Sequence, residues 1–332
     1  MKVGTVTAPL LNGVAKRLED LGYDTVLFTD SQCRAPDVWT ALGAAAMETG
    51  QVSLGPGVTN TVTRDPSVLA CAAATVHMLS DGRAVLPIGR GDSSAHFIGR
   101  KPEGLASFEA KVAQLRSYLD QGVVDRDGIE SSIQWLPLTT TLGPVPLEIV
   151  PSGPKMAGIA ARYADRISFA IGSDPSYIAE FMETTHKAAK KAGRDTSKIK
   201  FGAWINVVLN DDKAVALNAV RGTTGVWARF SLMRPDREAL PLSLQSALKL
   251  LEGYDMEQFG QASATDEVAM PDAFVDWFAV AGDKDHVLQR LRQLKAIGLD
   301  YLYVVPGQLG FADEVGLQSI EQVAELISSL SD

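Results

Sequence analysis

Residues 54–93 read LGPGVTNTVTRDPSVLACAAATVHMLSDGRAVLPIGRGDS and contain two kinds of pattern. Short apolar runs predict strands over 52–58 and 84–89. The segment between them, 66–79, carries alanines at the spacing of a closely packed helix. Because parallel strands need a crossover connection, this strand–helix–strand unit predicts a parallel sheet.

The same alternation continues through the rest of the chain. Strands are predicted at 2–7, 24–29, 52–58, 84–89, 146–150, 166–171, 199–209 and 299–305. Helices are predicted at 11–21, 36–48, 66–79, 105–119, 154–163, 175–192, 284–297 and about 315–330. Eight such units favour an α/β fold of the closed (β/α)8 TIM barrel type, and a doubly wound open sheet is the alternative.

Two segments depart from the alternation. Residues 122–145 are predicted to be a loop excursion with a turn at Asp127-Gly128. Residues 211–280, after strand 7, are mainly helical and longer than one crossover needs, so we interpret them as a helical insertion or lid. No low-complexity linker divides the chain, and a single domain over 1–332 is expected.

Composition excludes several classes of protein. A net charge of −9 argues against a nucleic-acid partner, whose phosphates would be repelled. The two cysteines do not make a disulfide framework, and a reducing cytoplasm is the expected location. Neither a signal peptide nor an apolar run long enough for a membrane span is evident. The four histidines have no partners at metal-ligand spacing, so no metal is expected.

Polar and glycine residues collect just after five of the predicted strands, where an α/β barrel carries its active site. This distribution predicts a ligand site at the carboxyl ends of the strands. The residues concerned are Asp30, Ser31, Gln32 and Cys33 after strand 2, Asn60 and Arg64 after strand 3, Arg90, Asp92, Ser93 and His96 after strand 4, Ser152, Gly153 and Lys155 after strand 5, and Gly172 and Ser173 after strand 6.

Two of these turns open helices and suit a phosphate. The free amides at the start of a helix attract an anion, and in the first turn Lys155 adds a positive charge. The first turn is Ser152-Gly153-Pro154-Lys155 and the second is Gly172-Ser173-Asp174-Pro175. The alternative is that Ser152, and Ser173 or Asp174, only cap their helices.

The end of strand 3 and the insertion carry further signals. Gly55-Pro56-Gly57-Val58 suits either close approach of a flat ring to the backbone or a simple bulge. Trp227, Phe230 and Trp277 in the insertion either line a substrate pocket or belong to the core. The chain has no Walker A or GxGxxG sequence, and Ser31 has no evident partners for a hydrolase triad.

Three blocks of sequence resemble the luciferase-like superfamily, and within it the group that contains methylenetetrahydromethanopterin reductase. Residues 54–93 are similar to that group's GPGVTNP strand end, TRxP helix start and GRAxLGIGxGD strand. Residues 152–175 look like its GPxM phosphate segment, and 278–304 are similar to its last helix and strand. The blocks occur in the family's order over nearly the whole chain.

The resemblance implies a barrel that binds FMN or the deazaflavin coenzyme F420. The ring would lie over the end of strand 3, where Gly57–Val58 would be a non-proline cis peptide. The cofactor-binding set implied is Gly57, Val58, Asn60, Arg90, Asp92, Ser152, Gly153, Lys155, Gly172 and Ser173. The candidate catalytic residues are Asp30, Ser31, Asn60 and His96.

The implied activity is that of an oxidoreductase acting on a small organic substrate. A deazaflavin would transfer hydride, whereas reduced FMN would support monooxygenation and would call for a separate flavin reductase as partner. Many deazaflavin members have Asp-His after strand 2, but here the pair is Asp30-Ser31, which argues against their alcohol oxidation. The alternatives are a non-catalytic flavin-binding barrel and a phosphate-binding aldolase or isomerase barrel. The latter would need a Schiff-base lysine or a Glu/His pair at strand ends, where Lys155 is the only lysine and better suits a phosphate. We also expect a homo-oligomer, most simply a homodimer.

Overall fold

The computed structural model describes residues 1–9, 12–136, 142–230, 238, 240–260, 270–307 and 314–331. Its strands are β1 Lys2–Thr7, β2 Thr25–Phe28, β3 Ser53–Pro56, β4 Thr59–Asn60, β5 Leu86–Gly89, β6 Val124–Arg126, β7 Ile129–Ser131, β8 Leu147–Ile149, β9 Arg166–Phe169, β10 Lys200–Leu209, β11 Val280–Gly282 and β12 Tyr301–Val305. Its helices are α1 Val14–Asp20, α2 Val38–Glu48, α3 Pro66–Leu79, α4 Ser93–His96, α5 Leu105–Leu119, α6 Pro154–Tyr163, α7 Pro175–Lys191, α8 Lys213–Ala228, α9 Leu242–Leu250, α10 Asp272–Phe278, α11 Lys284–Ala296, α12 Glu314–Ala324 and α13 Ile327–Ser331.

The parallel strands close into a barrel. Pairing follows the order β3-β2-β1-β12-β10-β9-β8-β5-β4. A parallel bridge from Leu54 in β3 to Ala84, just before β5, closes the ring. Strands β3 and β4 together occupy the third of eight positions, because the strand is interrupted between them. The predicted (β/α)8 TIM barrel is therefore confirmed, and the open sheet is wrong.

The excursion at 122–145 contains an antiparallel hairpin of β6 and β7. Its turn lies at Asp127 and Gly128, which both have positive φ, 55° and 86°. Two successive positive φ values define the type I′ turn that Asp-Gly favours in hairpins. A bidentate ion pair between Arg126 and Asp65 connects the hairpin to the start of α3.

The described part of 211–280 follows β10 and contains α8, α9 and α10. The segment then ends in β11, a three-residue strand that pairs in parallel with β10 beside the barrel. At its base, the Lys213 ammonium contacts the Asp276 carboxylate and the Ala281 carbonyl oxygen, so the beginning and end of the insertion are bonded together. The single-domain division and the role of a lid stay predictions.

Aromatic side chains fill the inside of the barrel, where branched aliphatic residues are usual. Trp204, Tyr301 and Tyr303 are all buried there. Glycines on neighbouring strands make room for them, since a Cβ added at Gly202 would lie 2.2 Å from the Tyr301 ring and one at Gly4 would lie 2.8 Å from the Tyr303 ring. Within the described residues, no helix has both the length and the apolar character that crossing a membrane requires.

Candidate active site

The end of the third barrel strand forms part of an apolar floor at the mouth of the barrel. The Gly57–Val58 peptide bond is cis, at the position that the family resemblance implies. Gly57 has no space for a side chain, because an added Cβ would lie 2.7 Å from Val6 Cγ2. Val58 packs on the same buried cluster as Val150 and Trp227, which come from other elements at this end.

Asn60 fixes the loop that follows this strand. Its side chain is buried, and its Oδ1 accepts hydrogen bonds from the backbone N–H groups of Val62 (2.9 Å) and Thr63 (3.0 Å). Its Nδ2 donates to Ser94 Oγ at 2.9 Å, which ties the loop to α4. The structure therefore places Asn60 as the support of the floor.

Asp30 and Ser31 follow β2 and differ in how their side chains are used. Asp30 is buried, forms an ion pair with Arg64 at 2.6 Å and accepts a hydrogen bond from Gln32 Nε2 at 2.7 Å. Arg64 also reaches Asp37 at 3.1 Å, so the loops after β2 and β4 are held together. The Ser31 hydroxyl is buried and has no hydrogen-bond partner within the described ranges. Its hydroxyl is therefore available to a ligand.

The loop after β5 contacts the insertion through its charged residues. Asp92 forms an ion pair with Arg229, the residue that follows α8. His96 Nε2 lies 3.5 Å from the Glu257 carboxylate, and this histidine is 41% exposed. Arg90 turns back within its own loop and donates from Nε to the Glu103 carbonyl at 2.5 Å. The Asp92 and His96 contacts therefore connect the loop after β5 to the insertion.

Two arginines add cation–aromatic contacts at the same place. The Arg34 guanidinium lies 4.5 Å from the centre of the Phe97 ring and 5.7 Å from that of Phe259. The Arg229 guanidinium lies 5.0 Å from the Tyr254 ring and 5.7 Å from Phe259. Sequence reasoning missed this cluster, because its members come from segments up to 225 residues apart that share no motif.

The two predicted phosphate turns have different structures. Gly153 is the N-cap of α6 and has no capping side chain there, so the first amides of this helix are free. Ser152 is half-buried and Lys155 is exposed beside them. At α7, by contrast, the Asp174 carboxylate already accepts from the amides of Ser176 and Tyr177.

The second turn also faces inward. Ser173 is fully buried; its Oγ lies 3.2 Å from the carbonyl oxygens of Trp277 and Ala279 and accepts a hydrogen bond from Arg290 at 2.7 Å. Gly172 has φ +95°, and an added Cβ would lie 2.9 Å from the Phe278 ring. The turn thus packs on the end of the insertion, and the Ser173 hydroxyl is used inside the protein.

Two buried donors near the floor have no partner among the residues that the structure describes. They are Asn206 Nδ2 and Trp227 Nε1. Asn206 lies two residues after Trp204 on the same face of β10, and Trp227 stacks on Trp204 with ring centres 5.8 Å apart. An unsatisfied buried donor costs about 1–3 kcal/mol, so this pair indicates an acceptor oxygen on a ligand. The only signal for Asn206 in the sequence is an amide in a mostly apolar strand.

A metal site is not indicated. Across the described residues, no three His, Cys, Asp or Glu side chains lie together in a way that would hold a metal ion. Beside the apolar floor lie instead donors without a partner among the described residues, and carboxylates that are held in ion pairs with Arg64 and Arg229. Such a surface suits an organic ligand that is flat and carries oxygen acceptors.

Comparison with known proteins identifies the family. The model of the luciferase-like monooxygenase family matches residues 8–301, which is most of the chain. The protein therefore belongs to the luciferase-like monooxygenase family, a family of oxidoreductases. The resemblance in the sequence blocks is confirmed.

Two curated relatives are reductases. The chain is 28% identical over 287 residues to 5,10-methylenetetrahydromethanopterin reductase of Methanolobus tindarius, which covers 86% of each chain. It is 29% identical over 283 residues to phthiodiolone/phenolphthiodiolone dimycocerosates ketoreductase of Mycobacterium sp. (strain JLS), covering 77% of this chain and 70% of the relative.

Solved structures share the fold. The coenzyme F420-dependent tetrahydromethanopterin reductase from Methanopyrus kandleri superposes with a TM-score of 0.71 at 21% identity, covering 98% of this chain and 97% of the other. An F420-dependent secondary alcohol dehydrogenase superposes with a TM-score of 0.77 at 18% identity, covering 100% of this chain and 99% of the other. A long-chain alkane monooxygenase superposes with a TM-score of 0.65 at 13% identity, covering 100% of this chain and 91% of the other.

Proposed function

We propose that this protein is an oxidoreductase that binds a flavin-type ring, either coenzyme F420 or FMN, over Val58 at the mouth of the barrel. The observation that supports the proposal is the combination of an apolar floor with unpartnered buried donors, Asn206 Nδ2 and Trp227 Nε1. The ring of either cofactor is flat and carries carbonyl oxygens, so the residues present fit it.

The cofactor phosphate is proposed to lie at the start of α6. There the helix amides are uncapped, the Ser152 hydroxyl is near them and Lys155 adds a positive charge. The Gly172-Ser173 turn would contribute only through its backbone, since the Ser173 hydroxyl is bonded to Arg290. The α6 turn is therefore the main phosphate site in this proposal.

When bound, the ring would supply either hydride transfer or activation of oxygen. The protein's own residues bind and orient the reactants. The Ser31 hydroxyl can donate to or accept from a polar group on the substrate, and the Asp30–Arg64 ion pair holds its loop in place. The insertion, held by Asp92 and His96, would exclude water as a lid, which favours both chemistries.

The substrate is proposed to be a small organic molecule. The named relatives support reduction with a deazaflavin, while Ser31 in place of the histidine of many deazaflavin members does not support alcohol oxidation. If the cofactor is FMN, a separate flavin reductase would be a partner. We further propose a cytoplasmic homodimer, whose mass can be measured by light scattering.

The test is an absorbance titration of the purified protein with FMN and, separately, with coenzyme F420. We expect saturable binding of one of them. Binding of neither would overturn the proposal. If the protein binds a cofactor but neither reduces a carbonyl substrate nor forms an oxygenated product, it would be a non-catalytic flavin-binding barrel. Borohydride trapping of a carbonyl compound on Lys155 would favour the aldolase alternative instead.

A pair of variants tests the proposed position of the ring. Trp227→Phe removes the indole N–H and keeps an aromatic ring, so we expect affinity for the ring to fall about fivefold, the loss of one hydrogen bond of about 1 kcal/mol. The matched control is Trp39→Phe, because Trp39 Nε1 is also buried without a partner in the described residues but lies in α2. Equal affinities of the two variants would place the ring elsewhere.

A further inference from the structure

A buried polar cluster occupies the inside of the barrel at its lower end, where the strands begin. Glu148 is fully buried and accepts hydrogen bonds from Tyr303 Oη (2.9 Å), Ser168 Oγ (2.5 Å) and Arg166 Nε (2.9 Å). Burial lowers the pKa of Arg166, but the Glu148 carboxylate outweighs this and raises it, so the guanidinium is charged. Burial raises the pKa of the Tyr303 phenol, which is therefore protonated.

An unbroken series of aromatic rings leads from this cluster to the mouth. Trp227 stacks on Trp204 with ring centres 5.8 Å apart, and Trp204 contacts Tyr303 at 4.6 Å. Tyr301 continues the series at 5.2 Å from Tyr303. Packing alone explains why large rings fill the barrel. It does not explain why the two indoles are followed by Tyr303, whose phenol donates a hydrogen bond to the Glu148 carboxylate.

We propose that Trp227, Trp204 and Tyr303 form a hole-transfer chain that carries an oxidising equivalent from the mouth of the barrel to Tyr303, with Glu148 accepting the phenol proton. Indole and phenol are among the most easily oxidised side chains, and their rings here are in close contact. Tyr303 is the end point because its proton has an acceptor. The buried Tyr301 hydroxyl, by contrast, has no hydrogen-bond partner among the residues that the structure describes. The Arg166 guanidinium contacts both phenols, since it donates to Tyr303 Oη at 3.1 Å and lies 3.9 Å from the Tyr301 ring centre.

The transfer is balanced in atoms and electrons. An oxidising radical at the mouth, such as hydroperoxyl from oxygen and a reduced cofactor, takes an electron from the Trp227 indole and a proton from water and becomes hydrogen peroxide. An electron from Tyr303 then passes through Trp204 and restores the indole, whose buried N–H keeps its proton throughout. The phenol proton moves to Glu148, and a neutral phenoxyl remains on Tyr303. The inference rests on the proposed function only for the source of this radical.

Pulse radiolysis of the purified full-length chain tests the proposal without any cofactor. Azide radical, the probe, oxidises indole side chains to indolyl radicals. We expect phenoxyl absorbance to grow as indolyl absorbance decays, at a rate independent of protein concentration and slower in D2O. Trp204→Phe should slow this growth at least about tenfold, an increase in barrier of about 1.4 kcal/mol.

Tyr303→Phe should remove most of the phenoxyl signal, since it deletes the end point and keeps the ring. Tyr118→Phe is the matched control, because Tyr118 is also buried but bonds to Ser131 outside the barrel. Circular dichroism verifies that each variant folds. Equal phenoxyl growth in the Tyr303 and Tyr118 variants, or no intramolecular growth in the natural chain, would overturn the proposal. Neither result bears on ring binding, which the absorbance titration measures.

Discussion

The two ends of the barrel differ in how their polar groups are used. At the lower end, Glu148 and Arg166 are paired inside the barrel, and the Glu19 carboxylate accepts from the amides of Gly50, Gln51 and Val52. At the mouth, the Ser31 hydroxyl and the donors of Asn206 and Trp227 have no partner in the described parts of the chain. The lower end therefore contributes stability, while the mouth keeps hydrogen-bonding capacity for a ligand.

The largest effect is expected at the lower end, from Glu148→Gln. Removing one charge of a buried pair leaves Arg166 uncompensated, and we expect a loss of about 3 kcal/mol in the free energy of unfolding. Urea denaturation measures it. Glu183→Gln is the control, because Glu183 forms an exposed pair with Lys187 on α7 and should change stability by less than about 0.5 kcal/mol. Equal losses would contradict the difference between the two ends.

The next effect concerns the mouth and should change binding but not stability. Ser152→Asp combined with Lys155→Glu reverses the charge at the start of α6, and we expect cofactor affinity to fall about tenfold to a hundredfold, with about 1.4 kcal/mol for each factor of ten. The comparison variant is Ser176→Asp at the start of α7, where Asp174 already caps the amides. Unchanged affinity in the double variant would refute the phosphate site.

The smallest effect is a pH dependence at the lower end. Burial raises the pKa of Glu19, but hydrogen bonds from the amides of Val52, Gln51 and Gly50 outweigh it and lower the pKa below 4.5. The carboxylate thus stabilises the fold above the unfolded pKa and loses this effect as pH falls through the folded value.

Glu19→Gln should therefore cost about 1 kcal/mol at neutral pH and progressively less in acid. Urea denaturation at neutral pH and well below pH 4.5 measures the difference between the variant and the natural chain. A difference that stays constant with pH would show that the charge of Glu19 does not contribute.

Local patterns predicted the barrel well because each strand–helix unit is encoded in one continuous segment. The bounds of α3, α5 and α6 match the prediction, and the turn at Asp127-Gly128 follows from its two residues. Strand β11 was missed, since three buried residues are too few to show a period. Most of the contacts at the mouth were also missed. Arg229 and Asp92 are 137 residues apart, and only the closed fold brings them together.

The bonded base of the insertion has a consequence for how this barrel can diversify. Lys213 at its beginning contacts Asp276 and Ala281 at its end, and β11 returns the chain to the side of β10. A segment whose two ends meet can be replaced as one unit without changing how the eight barrel strands pair with one another. Recombination at its base would give one scaffold many different pockets, so new substrates could be acquired while the chemistry below is inherited unchanged.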